Sequence, residues 1–228
     1  MTGCHHWVNV DRAFTEEGAE VTLATRNQQF VIRVDGEDLM HSDSHGSEEK
    51  LALHGCAGLG GKSAARVLIG GLGMGFTARA ALRALAGDAK VEVVELVGAV
   101  VRWNRELLGH LADDPLTDPR LRLVEGDVVD TIARSESCYD AILLDVDNGP
   151  QALSAADNDR LYTANRLGSA MRALRRDGVL AVWSVFEDAS FTARLREVGF
   201  RVTLKRVRAS RNARRRNVLW LARSTSDE

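Results

Sequence analysis

The residues able to do chemistry in this chain sit at one recurring kind of place, just after a short apolar run. Gly71, Gly73 and Gly75 follow "VLIG" with only Leu72 and Met74 between them. Glu95 closes "KVEVVE", Asp127 follows "RLRLVEG", and Asp145 and Asp147 follow "YDAILL". A glycine bend lets backbone approach a ligand without side chains intervening. An acidic residue about 20 positions further on can accept the hydroxyls of a ribose. An aspartate after the next strand can accept from an adenine exocyclic amine, and Val128 beside it is counted with the same contacts. Gly71, Gly73, Gly75, Glu95, Asp127, Val128 and Asp145 are therefore expected to hold an adenosine. The glycines are spaced G-x-G-x-G, with Phe76 where the dinucleotide fingerprint places its third glycine, so a nucleoside without pyrophosphate fits better. Two plainer readings compete. The bend can be a turn that needs positive φ, and Asp127 can be a helix cap.

The elements that must position these groups follow from the pattern. From residue 66 onward apolar strand-like runs alternate with helical spacing: "RVLIGG", "TARAALRALAG", "KVEVVEL", "GAVVRWNRELLGHLA", "RLRLVEGD", "YDAILLD", "NDRLYTANRLGSAMRALRRDG", "VLAVWSV" and "SFTARLREVG". Strands without polar alternation, separated by helices, predict a parallel sheet covered on both faces. The final runs, "FRVTLKRVRA" and "NVLWLARS", have no helix between them and should pair antiparallel. The chain thus divides into a small β-rich lead with a short helix, residues 1–60, and a Rossmann-like nucleoside-binding domain, residues 61–228. Within the lead, "AEVTLATR" and "QFVIRVDGEDLM" read as short strands with a turn at Asp35-Gly36.

Composition narrows the classes. The 228 residues carry a net charge of −2 and are 45% hydrophobic, enough for a real core without polyanion-binding character. No run of 18 apolar residues is present, so no membrane span is expected. The amino terminus lacks the pattern of a secretion signal. Three scattered cysteines, Cys4, Cys56 and Cys138, do not form a disulfide framework and fit a reducing cytoplasm. Cys4-His5-His6 lacks a second ligand pair at zinc spacing, so no metal is expected. Residues 201–216 hold eight Lys or Arg. This can be a phosphate-tracking patch or a solvated hairpin turn, and the missing aromatic interleaving disfavours nucleic acid as a partner.

Taken in order, "VLIGGLGMGFTARAAL", "VEVVEL", "RLVEGD", "YDAILLDVDNGP" and "LYTANRLGSAMRALRRDGVLAV" resemble the polyamine aminopropyltransferases, the spermidine synthase-like family. "VDGEDLMHSDSHGSEEKLA" is similar to the segment joining that family's amino-terminal hairpins to its core. The resemblance implies the class I S-adenosylmethionine-dependent methyltransferase fold, with a mostly parallel seven-stranded sheet and an antiparallel last strand. It also implies a sulfonium donor, S-adenosylmethionine or its decarboxylated form, and a homodimer. Asp145 matches the family's catalytic base, with Asp147 as its helper, and Asn148 and Tyr162 are expected near the acceptor.

The departures concern the amine. The family's glycine loop reads G-G-G-D-G-G, and its aspartate position is Gly73 here. Its D-x-x-D-P becomes Asp145-Val146-Asp147-Asn148-Gly149-Pro150, and its Tyr-His before a glutamate is absent around Glu48-Glu49. An intact nucleoside site beside a depleted polycation pocket makes methyl transfer to a small acceptor the leading expectation. Aminopropyl transfer to a di- or polyamine is the alternative; an RNA-modifying protein or a non-catalytic nucleoside sensor is a further one.

Overall fold

The computed structural model describes residues 6–15, 17–145, 161–210 and 216–224. The lead forms a four-stranded antiparallel sheet: β1 (Val8–Phe14), β2 (Glu20–Arg26), β3 (Gln29–Val34) and β4 (Glu37–His41), in that order. Two tight hairpins join β2 to β4. Asp35 and Gly36 have φ of 48° and 84°, and Asn27 and Gln28 have φ of 49° and 67°. Paired positive φ values match the right-handed twist of the flanking strands. The Asp-Gly turn is legible in sequence, whereas Asn-Gln is not.

Helix α1 (Gly46–Gly55) leads from this sheet onto the second. It lies so close that a Cβ on Gly55 would come within 2.2 Å of Leu143 Cδ2, so glycine is required at the contact. The second sheet comprises β5 (Arg66–Gly70), β6 (Lys90–Glu95), β7 (Leu121–Glu125), β8 (Tyr139–Leu144), β9 (Leu174–Ser184), β10 (Phe200–Val207) and β11 (Asn217–Ser224). Its order is β10-β11-β9-β8-β5-β6-β7. The pairings from β9 through β7 are parallel, and β11 runs antiparallel to both neighbours, as expected. This is the seven-stranded Rossmann-like arrangement anticipated from the sequence.

Strand alternation divides the core. Val67, Ile69 and Leu143 pack with Leu51 of α1, Phe76 and Ala81 of α2 (Phe76–Ala84), and Trp103 of α3 (Gly98–Trp103). Leu68, Ile142 and Leu180 pack on the other face with Val129 of α4 (Val128–Ala133), Leu167 of α5 (Ala164–Ala173) and Phe191 of α6 (Ala189–Glu197).

Two helices end earlier than their spacing predicts. After α3 the chain loosens into a π turn at Asn104–Leu108 and a tighter turn at Gly109–Ala112. Asn104 turns its amide onto Val100 O and Gly73 O, at 2.9 and 2.7 Å, and so serves another element. Helix α5 stops at Ala173 rather than at Asp177-Gly178. Arg175 reaches the buried Asp140 of β8 at 2.9 Å, and residues from Leu174 onward already belong to β9.

Candidate functional site

Strand order reverses around β5, between its neighbours β8 and β6, and the carboxyl ends of these strands form the expected crevice. The bend after β5 contains three left-handed glycines, Gly71, Gly73 and Gly75, with φ of 89°, 52° and 84°. Leu72 and Met74 turn away into the core, 3% and 0% exposed, so only backbone is presented by the bend. Gly75 is also hemmed in: a Cβ there would stand 3.0 Å from Pro115 Cγ. At Gly73 a Cβ would meet Met40 Cε at 2.6 Å. The Met74 N–H donates to Met40 Sδ at 3.3 Å, so β4 braces the loop from the other sheet. Asn104, which sequence reasoning missed, holds the Gly73 carbonyl from a third direction.

Glu95 is buried, 7% exposed. Its Oε2 accepts from the Leu72 N–H at 2.7 Å and its Oε1 from the Val97 N–H at 2.8 Å. The carboxylate therefore fixes the glycine loop, and two such bonds do not by themselves exhaust the roughly four acceptor sites of a carboxylate. Asp127 caps α4, with Oδ1 accepting from the Val129 N–H at 2.7 Å, so the plainer reading of this residue holds. Val128 packs against the end of β5, its methyls 3.0 and 3.1 Å from where a Cβ on Gly70 would lie.

Asp145 follows β8 directly. Its N–H donates to Gly70 O at 3.0 Å, and its Oδ2 accepts from the Thr77 hydroxyl at 2.5 Å. The residue keeps partial exposure, but its carboxyl is packed among protein atoms. Burial pushes it up to about 6 against the opposing pull of the Thr77 hydrogen bond. Across from it stands Glu48, on the first turn of α1 and 6% exposed. Burial first, and then the charge of Asp145, push Glu48 up to about 7, although Ser47 donates to its Oε2 at 2.5 Å. Among the described residues neither carboxyl has a cationic partner. The neighbouring Glu49, by contrast, is paired with Arg79 and with His45, the latter at 3.2 Å. Two acids confined without a counter-ion hold protons well above the usual carboxylate range.

Tyr162 is not at this crevice. It is 1% exposed and packs edge-on against Phe191, 5.1 Å between centroids, in the core on the opposite face of the sheet. Asp147 and Asn148 lie outside the described residues. A cleft of about 310 Å³, lined by Arg66, Lys90, Arg122 and Tyr139 among others, lies at the amino ends of β5–β8. That is the wrong end for a parallel-sheet crevice, and it holds no carboxyl pair.

The spermine/spermidine synthase domain matches residues 47–194. The chain is 34% identical over 120 residues to a polyamine aminopropyltransferase of Ruegeria sp. (strain TM1040), covering 52% of this chain and 39% of that protein. It is also 34% identical over 120 residues to polyamine aminopropyltransferase 1 of Hyperthermus butylicus, covering 50% of this chain and 39% of that one. The match thus spans well under half of these curated relatives. Among solved structures, spermidine synthase from Thermotoga maritima superposes with a TM-score of 0.75 at 19% identity, over 96% of this chain and 74% of that one. A probable spermidine synthase from Corynebacterium glutamicum gives 0.68 at 16% identity, over 99% and 82%. At such identities these structures establish the fold. The family match and the curated relatives overturn methyl transfer as the leading expectation: both concern aminopropyl transfer. The depleted pocket inferred from missing Tyr-His and loop aspartate did not count Glu48, which is buried and feels the charge of Asp145.

Proposed function

The chain belongs to the spermine/spermidine synthase family, and from that premise we propose that it transfers an aminopropyl group from decarboxylated S-adenosylmethionine to an amine acceptor. The observation that carries this reading is the Glu48–Asp145 pair beside the glycine loop, two confined acids without a cationic partner among the described residues. A buried, uncompensated acid pair is costly for the fold, and a cationic amine offsets that cost.

The protein's residues fit the donor's nucleoside. Gly71 and Gly73 present backbone alone, and in this reading Glu95, at the end of β6, would receive the ribose hydroxyls and Asp127, after β7, the exocyclic amine. The bound donor supplies a sulfonium, whose attached carbon is open to displacement. Asp145 and Glu48 hold the acceptor's ammonium and take its proton, leaving a nitrogen lone pair directed at that carbon. The new C–N bond forms as the C–S bond breaks, and the electron pair leaves on sulfur as a thioether. Thr77, donating to Asp145, fixes the carboxylate that faces the nitrogen. Most of the rate then comes from alignment rather than covalent chemistry.

The same reading includes a cytoplasmic setting, supported by the free thiols of Cys56 and Cys138. It includes a homodimer, supported by Val8, Val10 and Phe14, exposed on strand β1 at the sheet edge. No described helix is long and apolar enough to cross a membrane. Incubation with decarboxylated S-adenosylmethionine and a panel of diamines and polyamines, read by mass spectrometry, tests the central claim. One acceptor should gain an aminopropyl unit; no gain with any amine overturns it.

A further inference from the structure

The arginine-rich carboxyl-terminal hairpin has no part in the chemistry described above, yet it touches α1 at three points. The Gly46 N–H donates to Ala209 O at 2.6 Å. Lys50 Nζ donates to Arg208 O at 2.9 Å. Asn217 Nδ2, at the first residue of β11, donates to Ser47 Oγ at 3.0 Å. The approach leaves no slack, since a Cβ on Gly46 would lie 2.7 Å from the Ala209 carbonyl oxygen, which is backbone and cannot swing aside.

The third contact continues inward. Ser47 is 1% exposed and donates its one hydroxyl hydrogen to Glu48 Oε2 at 2.5 Å. A serine hydroxyl that accepts from one side and donates to the other has its rotor fixed and its donation strengthened. We infer that Asn217 is a positioning residue for the acid pair: through Ser47 it orients the Glu48 carboxyl that receives the acceptor's proton. The β10–β11 hairpin thereby becomes part of the support for the site, with Asn217 at a sequence separation of 169 positions from Glu48. This inference rests on the amine-transfer reading only for the role of Glu48; the relay itself is a property of the unliganded protein.

Asp145 approaches Glu48 from the end of β8, and Glu49 neighbours it on α1, itself held by Arg79 of α2 and by His45. None is touched by a change at residue 217. Removing the Asn217 donor weakens stabilisation of the ionised Glu48, so its protonated form persists to higher pH.

The test is Asn217→Ala, with Ser47→Ala as the direct comparison and Asn217→Gln as the conservative variant. Carbon-detected NMR titration of the Glu48 side chain in the full-length, unliganded protein reads the relay without activity. Asn217→Ala and Ser47→Ala should both move the Glu48 midpoint to higher pH, and Asn217→Gln should restore part of the shift. In the aminopropyl assay, the rising limb of kcat against pH should move in the same direction, by about threefold to tenfold in rate at pH 7, with donor KM unchanged. A Glu48 midpoint unmoved in folded Asn217→Ala overturns the inference, even if melting temperature falls. A shifted midpoint in a protein with no activity toward any amine sustains the relay and instead removes the proposed function.

Discussion

The two ends of the crevice are built in opposite ways. At the end proposed for the nucleoside, the charged groups are already engaged: Glu95 holds two backbone N–H groups and Asp127 caps a helix. At the end proposed for the amine, Ser47 and Thr77 donate hydroxyls to Glu48 and Asp145, and among the described residues no cation pairs with either. The first region is braced by backbone bonds before any ligand arrives and keeps acceptor capacity for one. The second holds two buried acids that no cation among the described residues neutralises, and in the proposed reading the acceptor amine supplies that charge. Glu95 ends β6 and Asp145 follows β8, two places apart with β5 between them, a separation of about 10 Å. The difference teaches that affinity for the donor and reactivity toward the acceptor should respond to different mutations.

The largest expected break in that comparison is Asp145→Asn. An amide keeps the size and can still meet Thr77, but it cannot take a proton. Turnover should fall about 10²- to 10⁴-fold, with donor binding by calorimetry altered by less than about threefold. Equal losses in both would mean the two ends are not separate.

Glu95→Gln tests the opposite end. One of the two backbone N–H groups would face an amide NH₂ or lose its strong charged acceptor, at a cost of about 1–3 kcal/mol. Donor affinity should fall about tenfold to a hundredfold, while the pH at half-maximal kcat stays unchanged. A shifted pH profile in this variant would contradict the assignment of acid chemistry to Glu48 and Asp145 alone.

The acid pair also makes a statement about stability. Its folded-state values of about 7 for Glu48 and about 6 for Asp145 lie above those of an unfolded chain, about 4. The native state therefore binds protons that the unfolded chain releases. This contribution is fully present below about pH 4 and is lost as pH rises through 6 to 7, so the protein should melt at a higher temperature at pH 5 than at pH 8. Glu48→Gln should flatten that dependence and raise the melting temperature at pH 8 by about 2–4 °C or more. Differential scanning calorimetry across this range checks the sign; a protein more stable at pH 8, with no effect of Glu48→Gln, would contradict the pair's confinement. A di- or polyamine that binds there should stabilise most at the high-pH end.

How far each region was legible in the sequence follows from how local it is. The glycine bend, Glu95 and Asp127 are readable because each sits at a strand terminus, and the alternation of apolar runs locates those termini. The sheet, its parallel core and its antiparallel last strand are legible for the same reason. Glu48 is not, since only the packing of α1 over β8, allowed by Gly55, brings it to Asp145. Tyr162 misleads in the reverse sense: it follows the acidic loop in sequence, yet the entry into α5 turns it under the sheet onto Phe191. Asn104 gives no local signal, because its task is to reach a carbonyl 31 positions away.

The smallest effect expected is at the seam between the two sheets, and it bounds how much the amino-terminal sheet matters to the crevice. Asp11 of β1 accepts from Trp103 Nε1 at 2.7 Å and Arg102 at 2.6 Å, both on α3. These bonds, that of Trp103 first, hold its carboxyl down at about 2. A depressed aspartate contributes stability above the unfolded value of about 4, and that contribution is lost as pH falls through 2. Because the pair with Arg102 is partly exposed, solvent screens it, and Asp11→Asn should cost only about 0.5–1 kcal/mol at pH 7. Its effect should vanish near pH 2, in contrast to the acid pair, whose stabilising contribution is lost at neutral pH. Trp103 itself is 1% exposed and anchors α3 through packing, so the loop brace at Asn104 should survive. Denaturant titrations at pH 3 and pH 7, combined with the aminopropyl assay, measure both. A loss of turnover much larger than the loss of stability would show that β1 reaches the chemistry through α3 and Asn104, and the two ends of the crevice would then share a support.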